Sequence, residues 1–158
     1  MELLLWLENT RLALFVRESN SILAYPTVLF LHTLGLATVA GLSAFLNLRV
    51  LGFARTLPFA ALTPFITAIW VGFAVTAASG TALLIANASS KVTSPIFLVK
   101  LVFVGLAVAT LHLMTKRVFR NPLADRSPLP RQAQVLAASS LLFWVGATMA
   151  GRLMAYLG

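Results

Sequence analysis

The chain is predicted to be all-α, an integral membrane four-helix bundle with an N-terminal interfacial helix. Three observations predict this. Of 158 residues, 59% are hydrophobic and only 10% charged, against about 25% charged in an ordinary soluble domain. Mean hydropathy is +0.93. The charges collect in short stretches between runs long enough to cross a bilayer core, which takes about 20 apolar residues as helix. The same composition excludes a disordered chain, which needs low hydrophobicity and high charge. The absence of cysteine excludes disulfides, thiolate zinc sites, iron-sulfur clusters and covalent c-type haem attachment.

Residues 1–17 come first. Glu2 and Glu8 stand where a signal peptide would be basic, and no small-residue cleavage site follows. Leu4, Leu5, Trp6, Leu12, Phe15 and Val16 offer an apolar surface and Glu8, Arg11 and Glu18 a polar edge, which suits a helix lying in the headgroup region. Spans are expected at about 21–47, 62–87, 95–116 and 133–155, making 1–158 a single four-span domain. Residues 19–48 and 56–90 hold no Asp, Glu, Lys or Arg, and 132–151 is a third such window. The stretch 92–115 carries only Lys100, just inside a helix start marked by Ser94 and Pro95. Asn121-Pro122 and Ser127-Pro128-Leu129-Pro130 break the longest loop.

Basic residues set the orientation. Arg49, Arg55, Lys116, Arg117, Arg120, Arg126 and Arg131 share one side, and loops rich in them stay cytoplasmic. Both termini are therefore expected on the outer, periplasmic side of a bacterial inner membrane. The net charge of +8 is topological on this reading, and nucleic acid is not an expected partner. Helix association in lipid depends on close approach through small residues. Ala68, Gly72, Thr76 and Gly80 form a stripe in span two, with Ala37 and Gly41, Gly105 and Ala109, Gly146 and Ala150, and Ala147 and Gly151 as shorter counterparts.

The candidate site rests on His32 and His112, the only two histidines, both inside expected spans. Ionisable groups there are functional candidates. Gly35 lies a turn after His32, and Ala109 a turn before His112, leaving room for a flat macrocycle. Neutral imidazoles can supply axial nitrogens to iron, whereas zinc would want further ligands that the spans lack. Haem b is the expected cofactor, with His32 and His112 as metal ligands. Lys100 and Arg152 could pair with its propionates, and Tyr156 could add a hydrogen bond. The bland reading of each cation is snorkelling. The histidines enter their spans at different depths, about 11 and 17 residues or roughly 9 Å apart. Tilt and a kink at Pro26 must close that gap, or the rings belong to different sites or to the core. Asn47 and Arg49 read as a helix cap and a snorkelling arginine. Met114, Met149 and Met154 read as packing, not as a copper site. Trp6, Trp70, Trp144 and Tyr25 read as interface anchors or pocket walls. No hydrolytic triad, phosphate loop or intramembrane carboxylate pair is present.

Tyr25-Pro26 through His32, Gly35 and Gly41 to Arg49-Val50-Leu51-Gly52, Phe97-Leu98-Val99-Lys100-Leu101 leading to His112, and Ser140-Leu141-Leu142-Phe143-Trp144 running to Ala150-Gly151-Arg152-Leu153-Met154-Ala155-Tyr156 resemble a bacterial family of four-span inner-membrane proteins known as a domain of unknown function. The likeness covers nearly the whole chain, and the closing Gly-Arg and Ala-Tyr elements are its most specific part. That family usually reads Asp-Leu-Arg where this chain has Asn47-Leu48-Arg49, which puts any charge pair at this position in doubt. The resemblance implies the four-span fold and singles out His32, Lys100, His112 and Arg152. It supplies no activity. A more distant likeness to b-type cytochrome subunits and copper-resistance membrane proteins is analogy only.

The expected function is electron relay between quinone or quinol and a redox partner, with the chain as a haem-binding subunit of a larger oxidoreductase. The alternatives are a non-catalytic scaffold or assembly subunit with packed histidines, and a small transporter of copper, protons or another solute, for which four spans are few unless it dimerises; a homo-oligomer is one of the expected partners. The remaining expected partner is membrane lipid.

Overall fold

The computed structural model describes residues 2, 6, 8–18, 24–119 and 129–157. Its elements are helices α1 (Arg11–Glu18), α2 (Ala24–Val50), α3 (Thr63–Ala86), α4 (Ala88–Val92), α5 (Pro95–Met114) and α6 (Arg131–Leu157). A 3₁₀ turn, Phe59–Leu62, leads into α3, and a π-helical turn, Thr115–Phe119, extends α5. Among the described residues there is no strand. Four helical stretches are long and apolar enough to cross a membrane: Ala24–Val50, Phe59–Ala86, Pro95–Phe119 and Arg131–Met154. Phe30, Val71, Val102 and Leu142 are among the many large apolar side chains exposed on their outer faces, as expected where hydrocarbon is the solvent. Residues 1, 3–5, 7, 19–23, 120–128 and 158 lie outside the described residues, and with them part of the expected interfacial helix, Asn121-Pro122 and Ser127-Pro128.

Local chemistry explains the element ends. Gly52 follows α2 with φ +105°, where a side chain would be strained. Phe53 N–H donates to Leu48 O at 3.0 Å and Gly52 N–H to Arg49 O at 3.1 Å, the paired bonds of a Schellman stop with glycine at its left-handed position. Pro95 opens α5 as expected, but Ser94, although extended, makes no side-chain capping bond. At the N-terminal side, Ala13 and Val16 are buried where α1 packs on α3 and α2. Ser89 N–H and Oγ both donate to Glu8 Oε1, at 2.8 and 2.7 Å, tying the start of the chain to α4.

The bundle is two helical hairpins. Helix α2 packs along α3 and α5 along α6, and the hairpins meet chiefly through α2 and α6. The small stripe of α3 serves the first hairpin. A Cβ at Gly72 would press on Thr38 and Val39, one at Gly80 would meet the His32 ring, and one at Gly35 would collide with Thr76 and the Gly72 carbonyl. In the second hairpin Gly146 receives the Phe103 ring. The pairs Ala37 with Gly41 and Gly105 with Ala109 do not pack inside the chain, contrary to the sequence expectation. All four residues are exposed, and nothing lies within 4 Å of a Cβ built at Gly41 or Gly105.

The densest packing surrounds the C-terminal half of α2. Leu46, Leu62, Ile69, Met114 and Ala137 are fully or almost fully buried there. Phe59 and Phe119 meet edge to face, with centroids 5.5 Å apart. Asn47 Nδ2 donates to Ser140 Oγ at 3.0 Å, joining the hairpins through two buried polar groups. Arg49 is also buried and does not snorkel. Its Nε donates to Leu57 O at 2.8 Å and its Nη2 to Arg55 O at 3.3 Å, while its guanidinium lies 4.2 Å from the Phe59 ring centroid. The arginine thus folds the loop after α2 back onto the helix.

Candidate functional site, a basic cavity between the hairpins

At the other end of the bundle the hairpins separate around a cavity of about 590 Å³, within the usual size range of small-molecule sites. The N-terminal half of α2, the C-terminal half of α3, the start of α5 and the end of α6 line it. Its lining is largely apolar, with Val39, Phe73 and Val104 among the residues, and Asn87 and Lys91 belong to the α3–α4 end. His32 and Lys100 line it together.

His32 is oriented by α3. Its Nδ1 lies 3.0 Å from Thr76 O and 3.3 Å from Ser79 Oγ. A carbonyl carries no proton, so Nδ1–H is the donor to Thr76 O. The Ser79 hydroxyl lies 2.6 Å from Val75 O and donates there, which holds the α3 turn behind the ring. Nε2 has no hydrogen-bond partner among the described residues. The ring lies against Gly80, where an added Cβ would stand 2.9 Å from Cε1. Glycine is therefore required for this ring position, a role its place in the packing stripe only hinted at.

Lys100 reaches across towards α6. A Cβ added at Gly151 would lie 3.7 Å from Lys100 Cε and 3.8 Å from Nζ. Among the described residues neither Lys100 nor Lys91 has an ion pair or a side-chain hydrogen bond, and no Asp or Glu lines the cavity. Trp144, 4% exposed, forms part of the wall. Its Nε1 and the hydroxyl of Ser43 are buried without a partner among the described residues.

Of the seven residues singled out from sequence, the structure brings only His32 and Lys100 to this cavity. His112 is exposed on α5 and is not part of the lining. The helical rise places it about 18 Å along the axis from Lys100, and the two imidazoles do not share this cavity. Ala109 is exposed beside it. Gly35 makes room for the α3 backbone in the α2–α3 seam. Arg152 is exposed, and Tyr156 is 82% exposed. Neither lines the cavity. Helical phase explains both, since their neighbours Gly151 and Met154 take the inward positions. Sequence reasoning missed Lys91, Asn87, Thr76 and Ser79 as members of the site. Thr76 and Gly80 lie one turn apart on the α3 stripe, which was the available signal, but their pairing with His32 depends on the register of α2 against α3. Among the described residues no three metal-ligating His, Cys, Asp or Glu side chains come together. Comparison with protein-family models, curated proteins and solved structures finds no match.

Proposed function

We propose that the protein is a ligand-binding subunit of a membrane redox system, with the His32 cavity as the seat of the redox ligand. One observation carries the reading. An imidazole locked through Nδ1–H to the Thr76 carbonyl leaves Nε2 free beside an apolar cavity that also holds Lys100. A carbonyl on the far ring nitrogen is the outer support typical of imidazoles that bind metals. The donor set would suit a b-type haem held through one histidine of this chain. It does not fit a haem held by both of the chain's histidines. His32 would be the ligand, Thr76 its orienting partner, and Lys100 and Lys91 the cations near the propionates. A bound haem would supply one-electron chemistry. The chain's own part is to hold and orient it and to keep it in an apolar surround, while a partner subunit passes electrons on.

The test is a reduced-minus-oxidised spectrum of protein purified after expression with ample haem. A haem signal that His32→Ala abolishes and His112→Ala preserves is the expected result. A colourless wild-type protein overturns the haem reading. A quinone or quinol is the second reading, favoured because Nε2 and the Lys100 ammonium could serve its oxygens within a largely apolar pocket. Quinone extracted from the wild-type protein and absent from His32→Ala would select it.

The proposal extends to topology. Arg49, Arg55, Lys116 and Arg117 gather at the ends of α2 and α5 remote from the cavity. That distribution supports a reading with the cytoplasm on that side, and the cavity and both termini towards the periplasm of a bacterial inner membrane.

A further inference from the structure

Resting on the reading of the cavity as a ligand site, we propose that its ligand is an acid: an amphiphile with a carboxylate or phosphate head and an apolar body. Lys100 lies five positions after Pro95 in a helix otherwise free of Asp, Glu, Lys and Arg. A cation inside an apolar span is costly unless it reaches water or meets a counter-charge. Snorkelling would lay the side chain outward along its own helix. Instead its terminal atoms lie against Gly151 of α6, on the cavity wall.

Among the described residues the chain brings no counter-charge there. It has only four acidic residues, none within the four spans, and Glu8 is engaged by Ser89. Lys91 adds a second cation, with Asn87 close to it in sequence and also in the lining. His32 cannot balance either lysine, because an imidazole is neutral or cationic. Among the described residues, two lysines and no acid line a largely apolar pocket, an arrangement complementary to an anionic head with a greasy tail. A neutral amphiphile would satisfy the apolar lining and leave both ammonium groups without a partner. Haem propionates, a fatty acid and a lipid phosphate share the required chemistry.

The test uses the full-length protein in zwitterionic-lipid nanodiscs, with palmitate, methyl palmitate, lysophosphatidate and haem as probes. Palmitate is expected to bind at least about tenfold tighter than its ester, the affinity equivalent of one modest charge pair. Lys100→Met should abolish that preference and Lys100→Arg restore most of it. Lys91→Met should weaken acid binding by about threefold, an effect that added salt diminishes if Lys91 stands at the wetter rim. Displacement of palmitate by haem, but not by lysophosphatidate, identifies a carboxylate-bearing macrocycle as the ligand. The reverse result identifies a lipid phosphate, and both support the proposal. Equal binding of acid and ester, or a preference that survives Lys100→Met, overturns it and leaves the redox reading standing. A colourless, quinone-free protein that still selects the acid strikes only the redox reading. Binding of none of the four probes overturns both.

Discussion

The two ends of the bundle treat buried polar groups in opposite ways. Around Asn47 most of them are met within the chain, the Ser43 hydroxyl excepted: the amide meets Ser140, and Arg49 is held by two carbonyls and an aromatic ring. Around His32 they leave valence open, with Nε2 and two ammonium groups at a cavity that the described residues do not fill. Both ends use the same helices. The difference teaches that a polar residue in an apolar span is not by itself a sign of function. Whether its hydrogen bonds and charge are met within the chain separates a structural role from a binding one.

The sharpest way to break this comparison is Arg49→Met. It removes both hydrogen bonds and the cation over Phe59, and should cost about 3 kcal/mol. Thermal unfolding in detergent reads this directly, and a change below about 0.5 kcal/mol would mean that the corner is not structural. Gly35→Ala comes next. Its Cβ must push Thr76 and the Gly72 carbonyl aside, at about 2 kcal/mol. Because Thr76 orients His32, ligand affinity should fall along with the melting temperature.

Two substitutions of about 1 kcal/mol should act with opposite signs. Asn47→Ala strands the Ser140 hydroxyl and should lower stability by that much. Lys100→Met deletes an unpaired cation from an apolar surround and should raise ligand-free stability by a similar amount. Parallel unfolding curves check the pair, and destabilisation by Lys100→Met would show that the lysine is satisfied within the fold. The smallest effect belongs to Gly105→Ala and Gly41→Ala, where the added methyl meets open space. Each should change stability by less than about 0.5 kcal/mol. A larger loss, accompanied by a shift in oligomeric mass, would mean that a second copy covers those faces.

Much of the fold was legible in the chain. The four spans fall within a few residues of their expected limits because length and hydropathy are local properties that a bilayer reads directly. The α3 stripe announced a tight seam, and Gly35, Gly72 and Gly80 confirm it residue by residue. The same kind of pattern misled at Gly105 and Ala109. A small-residue pair shows where a helix could be approached closely, and says nothing about whether a neighbour approaches. The site was half legible. His32 and Lys100 stood out as polar interruptions, but so did His112 and Arg152, and composition could not rank them. Arg49 read as an ordinary snorkelling residue because the loop that supplies its partners carries no marked motif.

Sequence alone determined that this is a four-span helical membrane protein, that its spans contain almost no charge, and that His32 and Lys100 needed an explanation. Tertiary structure alone decided that these two share a cavity, that His112 stands apart from it, and that Asn47 and Arg49 are satisfied within the fold. The physical reason is one of range. Solvent transfer acts on each segment separately, whereas hydrogen bonds and charge compensation depend on helix rotation and register across the bundle, where one position of phase separates Gly151 on the cavity wall from Arg152 outside it.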